Sequence, residues 1–337
     1  MLHNFFHRRI TRSGSLFAAI LAIMLLTAAC GQTAGSGTNT AKPDSAAAGG
    51  AGAPAEASRT IKHAMGETVL KGTPQRVVIL TNEGTEALLA LGIKPVGAVK
   101  SHTGSPWYNH IKADMQGVTE LGVESQPNIE LIAGLKPDLI IGNKLRQEKI
   151  YDQLKAIAPT VFSETLRGDW KSNFALYAES VNKKAEGEKV IGDFDKRIED
   201  FKKKAGPKLN QTVSVVRFMA GKTRIYYQDT FTGVIFKQIG IARPATKSKE
   251  TFADEINKER LPEVEADMLL YFTYETGDGA ASKTEQEWLN DPLWKNLNVV
   301  KSGKVHKVDD AVWNTAGGVK AANIMMDELY KLYDVKP

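Results

Sequence analysis

The sequence predicts an α/β protein: two parallel-sheet lobes joined by one long α-helix, with a ligand cleft between the lobes. Three observations predict it. Short apolar runs alternate with short helical patterns in both halves of the chain, as a parallel sheet requires. A strand-free segment carrying one amphipathic stripe separates the halves. The halves also echo each other at a constant offset of 129 residues.

The elements follow in order. VVIL (77–80) reads as a strand, NEGTEALLALG (82–92) as a helix with a Gly stop, and PVGAV (95–99) as a second strand. NIELIAGL (128–135) is helical and DLIIG (138–142) is a strand. QEKIYDQLKAIA (147–158) is again helical, and PTVF (159–162) is a fourth strand. Asp169 can then start a helix and Gly206-Pro207 can end it. Between them Phe174, Tyr177, Val181, Ile191, Phe194, Ile198 and Phe201 recur mainly at steps of three or four, with one gap. That stripe predicts a single rod of about 36 residues, roughly 54 Å at ~1.5 Å per residue.

After Pro207 the α/β pattern resumes. VSVVRF (213–218), RIYY (224–227), MLLYF (268–272) and KVHKV (304–308) read as strands, FTGVIFKQIG (231–240) as a helix, and 317–333 as a closing helix. TGDGAAS (276–282) is Gly-rich with no clear helix after it and reads as a loop. The echo pairs Asn128, Glu130, Leu135 and Asp138 with Asn257, Glu259, Val264 and Asp267.

The first 29 residues stand apart. A polar, basic start precedes LFAAILAIMLLTAA (16–29). This apolar run is too short for a membrane span, which takes about 20 residues, and fits the core of a secretory signal. It ends at LTAAC, where Cys30, the chain's one cysteine, follows small residues. Residues 31–58 hold nine Ala and six Gly but no Val, Ile, Leu or aromatic. Such a stretch cannot bury enough apolar surface to offset its ordering entropy and reads as a tether. The expected divisions are a signal peptide (1–29), Cys30 and a tether (30–59), an N-terminal lobe (60–166), a linker helix (167–206) and a C-terminal lobe with its closing helix (207–337).

Charge excludes some functions. Arg8, Arg9 and Arg12 are the only charges in the leader, and without them the excess of basic over acidic residues falls from +5 to +2. A nucleic-acid binder should carry a concentrated basic face. One cysteine excludes a disulfide framework and a multi-cysteine metal site.

In open parallel sheets ligands lie beyond the carboxyl ends of the strands. Thr81 and Asn82 follow the first strand, Lys100, Ser101 and His102 the second, and Asn143, Lys144 and Arg146 the third. In the other half Arg217 ends a strand, Tyr226 and Tyr227 end the next, Thr273 and Tyr274 follow another, and Trp313 comes after the last. The ligand-binding candidates are Thr81, Asn82, Lys100, Lys144, Arg146, Arg217, Tyr226 and Trp313. Lys100, Lys144, Arg146 and Arg217 converge on this topology, and such cations suit a ligand bearing carboxylates. Each has a plainer reading: solvated loop lysines, a structural salt bridge at Arg217, and a core position for Trp313.

No nucleophile elbow, phosphate loop or dinucleotide fingerprint is present, so nothing points to an enzyme. Asp309 and Asp310 are adjacent and would point apart on a strand. A bare transition metal would need three or four converging ligands, and of the six histidines only His102 falls at a cleft loop. Haem, ligated by Tyr226, Tyr227 or His102, stays open.

LTAAC, RVVILTNEGTEALLALG (76–92), NIELIAGLKPDLIIGN (128–143), the lone linker helix and WNTAGG (313–318) together resemble the iron-siderophore group of bacterial extracellular binding proteins. Relatives in that group bind ferrichrome, ferric citrate-type siderophores and cobalamin. The resemblance covers about residues 60–335. It implies a monomeric lipoprotein outside the cytoplasm, anchored to the membrane through Cys30, that delivers a ferric siderophore to the permease of an ABC importer. It implies no permanent cofactor, the iron arriving as the siderophore complex. In the lipobox it departs at Thr27, where Leu is usual. The resemblance also implies that Glu130 and Glu259, one per lobe, meet arginines of the two permease subunits.

Overall fold

The computed structural model describes residues 58–245 and 249–337. The signal peptide, Cys30 and nearly all of the tether lie outside the described residues. Among those described, no helix is long and apolar enough to cross a membrane.

The N-terminal lobe opens with a hairpin, β1 (Ser58–His63) and β2 (Gly66–Lys71), paired antiparallel. There follow β3 (Val77–Ile79), α1 (Asn82–Ala90), β4 (Gly97–Ala98), β5 (Thr119–Glu120) and a small antiparallel pair, β6 (Gly122–Val123) and β7 (Gln126–Pro127). The lobe continues with α2 (Ile129–Gly134), β8 (Leu139–Asn143), α3 (Lys144–Gln147), α4 (Tyr151–Lys155) and β9 (Thr160–Ser163). Its sheet is parallel throughout, in the order β5-β4-β3-β8-β9. Every residue of β3, β8 and β9 is buried. Covered on both faces, such strands read as unbroken apolar runs rather than alternating ones.

The connector departs from the expected rod. It is two helices, α5 (Trp170–Ser180) and α6 (Lys184–Ala205). The break falls in the gap of the apolar stripe, at Val181–Lys183. Asn182 takes φ +60 there, a left-handed conformation that Asn tolerates and that stops a helix. Lys183 N–H donates to the Ala178 carbonyl at 2.8 Å to close the turn. The chain then folds α6 back on α5, so closely that a Cβ on Gly187 would stand 2.5 Å from that of Ala178. At 22 residues α6 spans about 33 Å at ~1.5 Å per residue. The expected end holds: Gly206 (φ +49) and Pro207 lead into a 3-10 turn.

The C-terminal lobe contains β10 (Val213–Met219), β11 (Lys222–Tyr226), α7 (Phe231–Ile239), β12 (Ala253–Ile256), β13 (Met268–Thr273), α8 (Ala280–Leu289), α9 (Pro292–Asn296), α10 (Asn298–Lys301) and β14 (Val305–Lys307). Its sheet runs β12-β11-β10-β13-β14. β10, β13 and β14 are parallel, whereas β11 and β12 add on antiparallel. Ala220-Gly221, with Gly221 at φ +64, is a two-residue link that can only turn the chain back on itself.

The Gly-rich stretch also differs from expectation, because α8 follows it. The anion-binding backbone there is occupied internally. Glu275 accepts hydrogen bonds from the N–H groups of Gly277, Gly279 and Ser282 and from the Ser282 hydroxyl, at 2.8–3.0 Å. These bonds hold its carboxyl down at about 2.

The echo has a structural meaning. Asn128 and Asn257 each cap a helical turn, accepting from Leu131 N–H at 3.0 Å and Arg260 N–H at 3.2 Å. Asp138 accepts from the N–H groups of Gln75 and Arg76, just before β3, and Asp267 accepts from Thr212 N–H, just before β10. The same two side chains thus pin the same two joints in each lobe. The closing helix α11 (Val319–Leu332) packs on α1 and on α6. Glu86 of α1 accepts from Ala321 N–H at 2.9 Å, and Arg197 of α6 donates to the Asn323 carbonyl at 2.8 Å. The strands therefore end at a cleft whose back is braced by three helices.

Candidate ligand-binding site

Residues of both lobes line a cavity of about 350 Å³ at the strand ends. Its N-terminal wall starts where β3 gives way to α1. The Thr81 hydroxyl caps α1 by accepting from Gly84 N–H at 3.1 Å, which aims Asn82 and Glu83 into the cavity. Asn82 donates from both its backbone N–H and its amide to Glu124 Oε1, at 2.7 and 2.8 Å. Glu124 sits in the turn between β6 and β7, buried. Burial opposes its charge, but hydrogen bonds from His102 and Asn82 outweigh it and hold the carboxyl below its usual range. His102 Nε2 and Arg146 Nε lie 3.6 and 3.5 Å from Glu124 Oε2. The Arg146 side chain remains 42% exposed, which leaves donors free for a ligand.

The C-terminal wall is built on Arg217, near the end of β10. Its Nε and Nη2 donate to the two oxygens of Asp310 at 2.6 and 3.0 Å, and Nη1 donates to the Tyr226 hydroxyl at 3.0 Å. Its guanidinium also lies 4.5 Å from the ring centroid of Tyr274. Burial disfavours the charge, but Asp310 and Tyr226 overcome it and raise the guanidinium above its ordinary value. Phe231, Phe252 and the 314–317 turn complete this side. A neighbouring recess of about 590 Å³ shares His102, Glu124 and Tyr274 with the cavity and is bordered by Lys100 and Glu275.

Of the eight candidates read from the sequence, the cavity gathers Asn82, Arg146 and Arg217. Thr81 is fully buried and spends its hydroxyl on the helix cap. Lys100 borders the recess, and Lys144 turns away to Glu164, 2.7 Å distant. Tyr226 is buried behind Arg217. Trp313 is wholly buried: its ring meets Phe236 edge-on and its indole N–H donates to Glu328. Four converging cations therefore become two, one of them already matched by Asp310.

Sequence reasoning missed Glu83, Glu124 and the two phenylalanines. Glu83 adjoins Asn82 and carried the same strand-end signal. Glu124 had none, since it lies in a turn between two-residue strands. The salt bridge at Arg217 was expected without its partner: Asp310, read only as one of two adjacent carboxylates on a strand, lies beyond β14 and clamps the guanidinium. Among the described residues no group of three or more His, Cys, Asp or Glu is placed to hold a metal ion.

A model of the periplasmic binding protein family matches residues 77–312. The chain belongs to this family. Among its relatives, the probable siderophore-binding lipoprotein YfiY of Bacillus subtilis is 51% identical over 324 residues, 93% of this chain and 95% of that one. The Fe(3+)-citrate-binding protein YfmC of the same organism is 32% identical, covering 82% of this chain and 87% of its own. Among solved structures, Staphylococcus aureus SirA complexed with staphyloferrin B superposes with a TM-score of 0.76 at 37% identity, over 82% of this chain and 99% of SirA.

Proposed function

We propose that the protein captures a ferric siderophore of the carboxylate or citrate type outside the cytoplasm and delivers it to the permease of an ABC importer. The observation that carries this reading is the cavity between the lobes, where a half-exposed Arg146 stands over a hydrogen-bonding wall and faces an aromatic one. Cavity and recess together suit a ligand of a few hundred Å³. An anionic chelate finds a bidentate partner in Arg146 and a second cation, Lys100, at the recess. The names of YfiY, YfmC and the SirA complex support the ligand class. The role is binding and transfer, with no bond in the ligand made or broken.

The remaining assignments belong to the same reading. Cys30, after LTAA, is the lipidation site, and residues 31–59 are the tether that keeps the lobes near the membrane. Residues 60–166 and 207–337 form the lobes and 167–206 the linker. Glu130 and Glu259 are both exposed, each just inside an Asn-capped turn. One on each lobe, they suit a two-fold partner carrying cations. The helix N-terminus alone would favour a carboxylate at either position, so mutation must decide between the two roles.

Absorption spectroscopy of the protein purified after growth with ferric siderophores tests the reading. A broad visible charge-transfer band, with tryptophan fluorescence quenched on titration with ferric staphyloferrin B, is the expected result. A Soret band would mean haem and would overturn it.

A further inference from the structure

Two carboxyl groups line the cavity, and their surroundings differ. Glu124 has donors or cations on both oxygens. Among the described residues Glu83 forms no ion pair. Its Oε1 accepts from the Asn173 amide at 2.7 Å and from the Tyr177 hydroxyl at 2.9 Å. Those donors are fixed in direction. Asn143 donates to Ser163 Oγ at 2.8 Å, and Ser163 Oγ lies 2.7 Å from the Tyr177 oxygen. With the Tyr177 hydrogen committed to Glu83, the Ser163 hydroxyl has two acceptors, the Tyr177 oxygen and the Gly142 carbonyl at 3.4 Å, and neither takes that hydrogen away. Oε1 is thus saturated, while Oε2 has no partner among the described residues.

The charged groups acting on Glu83 are acidic: Glu124 from the β6–β7 turn and Asp169 ahead of α5. The 314–317 turn packed on it brings Gly317 and no charge, and α11, which also packs on α1, has its nearest cation, Lys320, paired with Asp114. Arg146 and His102 on its own side engage Glu124, and Arg217 across the cavity engages Asp310. Burial, opposed by the two hydrogen bonds and reinforced by the acidic neighbours, pushes this carboxyl up to about 8.

We infer that Glu83 is a ligand-contacting, specificity-determining residue that meets the bound chelate as a neutral carboxylic acid, donating a hydrogen bond from Oε2 to a carboxylate oxygen of the ligand. The inference rests on the siderophore reading and deepens it. A second ionised carboxylate in the cavity would repel an anionic ligand, whereas a neutral acid adds a donor and no charge. One wall then holds an ionised carboxylate that orients Asn82 and Arg146, and a protonated one that faces the guest.

The test compares wild type with Glu83→Gln, which keeps a donor and cannot ionise. Ferric staphyloferrin B is titrated by tryptophan fluorescence between about pH 6.5 and 9.5. Wild-type affinity should fall toward tenfold per pH unit above about 8 as the acid ionises, and the Gln variant should lack that extra fall while matching wild type near neutrality. His102, Glu124 and the ligand's own titration are common to both. Identical pH profiles would overturn the inference, as would unchanged neutral-pH binding in Glu83→Ala. A readout that needs no ligand accompanies it. The infrared carbonyl stretch of a protonated carboxyl should be present in the free wild-type protein at neutral pH, absent in Glu83→Gln, and lost on alkaline titration. Its absence from wild type would also overturn the inference. Failure of wild type to bind any ferric chelate, with the band present, would overturn the siderophore reading and the ligand contact with it, and would leave the neutral acid standing.

Discussion

The two lobes share a strand order and a pair of pinning residues, although β11 and β12 run antiparallel, and they present different walls to the cavity. The N-terminal wall is a hydrogen-bonding surface: Asn82, Glu83, Glu124, His102 and the half-exposed Arg146. The C-terminal wall is aromatic, with its one cation clamped by Asp310 and Tyr226 and covered by Tyr274. The repeat therefore fixes where strand ends converge, and the side chains after each strand decide what converges there. On the proposed function, charge recognition falls to the N-terminal wall. The C-terminal wall supplies flat apolar contact around a cation spent on structure.

The largest effect should come from breaking the clamp. Asp310→Ala leaves Arg217 buried and unpaired, which should cost about 3–5 kcal/mol of stability in urea unfolding. Replacing both partners, as Arg217→Met with Asp310→Leu, should recover most of that loss, because two desolvated charges disappear together. Equal destabilisation of the double variant would show that the pair does more than satisfy itself.

On the other wall the loss should appear in binding. Arg146→Ala should weaken ferric staphyloferrin B by about 1.5–3 kcal/mol, on the order of 10- to 150-fold, with little change in stability. Lys144→Ala should change little, since Lys144 is paired with Glu164 away from the cavity. Calorimetric titration of the two variants checks the contrast, and equal losses would return Lys144 to the site.

Glu83 sets a pH dependence on stability, with a definite sign. Its folded carboxyl, at about 8, stands above its ordinary value of 4.5, so between these values the folded state holds a proton the unfolded state has lost. The contribution is full below about 4.5 and is lost as pH rises through about 8. Glu83→Gln should flatten this part of the urea-midpoint profile, and an unchanged slope would place the titration elsewhere.

The smallest molecular effect belongs outside the cavity. Glu130→Ala with Glu259→Ala should leave ligand affinity unchanged and reduce iron uptake by cells, each single change doing less. Such rim charges orient docking more than they supply affinity. Normal uptake by a well-expressed double variant would remove both from the interface.

Much of the scaffold was legible because it rests on local signals. The central strands of the first sheet lie in short apolar runs, whereas its edge strand β5, Thr119–Glu120, carries no such signal; the repeat shows as Asn, Glu and Asp at fixed places. The single rod failed on one residue: Asn182 breaks the helix, and the missing apolar position between Val181 and Ile191 was the trace it left. The site was less legible because a strand-end position says where a residue starts, not where its side chain goes. Lys144 and Arg146 follow the same strand, and α3 sends one to Glu164 and the other to Glu124. Trp313 looked like a cavity wall but fills the core under α11, where Glu328 satisfies its N–H. Glu83 needed the third dimension, since its raised carboxyl comes from burial, reinforced by Glu124 and Asp169 and opposed by the donors that α5 brings from far along the chain.

The central claim is that the N-terminal wall selects an anionic ferric chelate. Calorimetric titration of the purified protein at neutral pH with ferric staphyloferrin B, and in parallel with a neutral ferric trihydroxamate, tests it most directly. The account predicts that the carboxylate chelate binds at least ~100-fold more tightly, a difference of about 2.7 kcal/mol. Equal affinities, or a preference for the neutral complex, would contradict it.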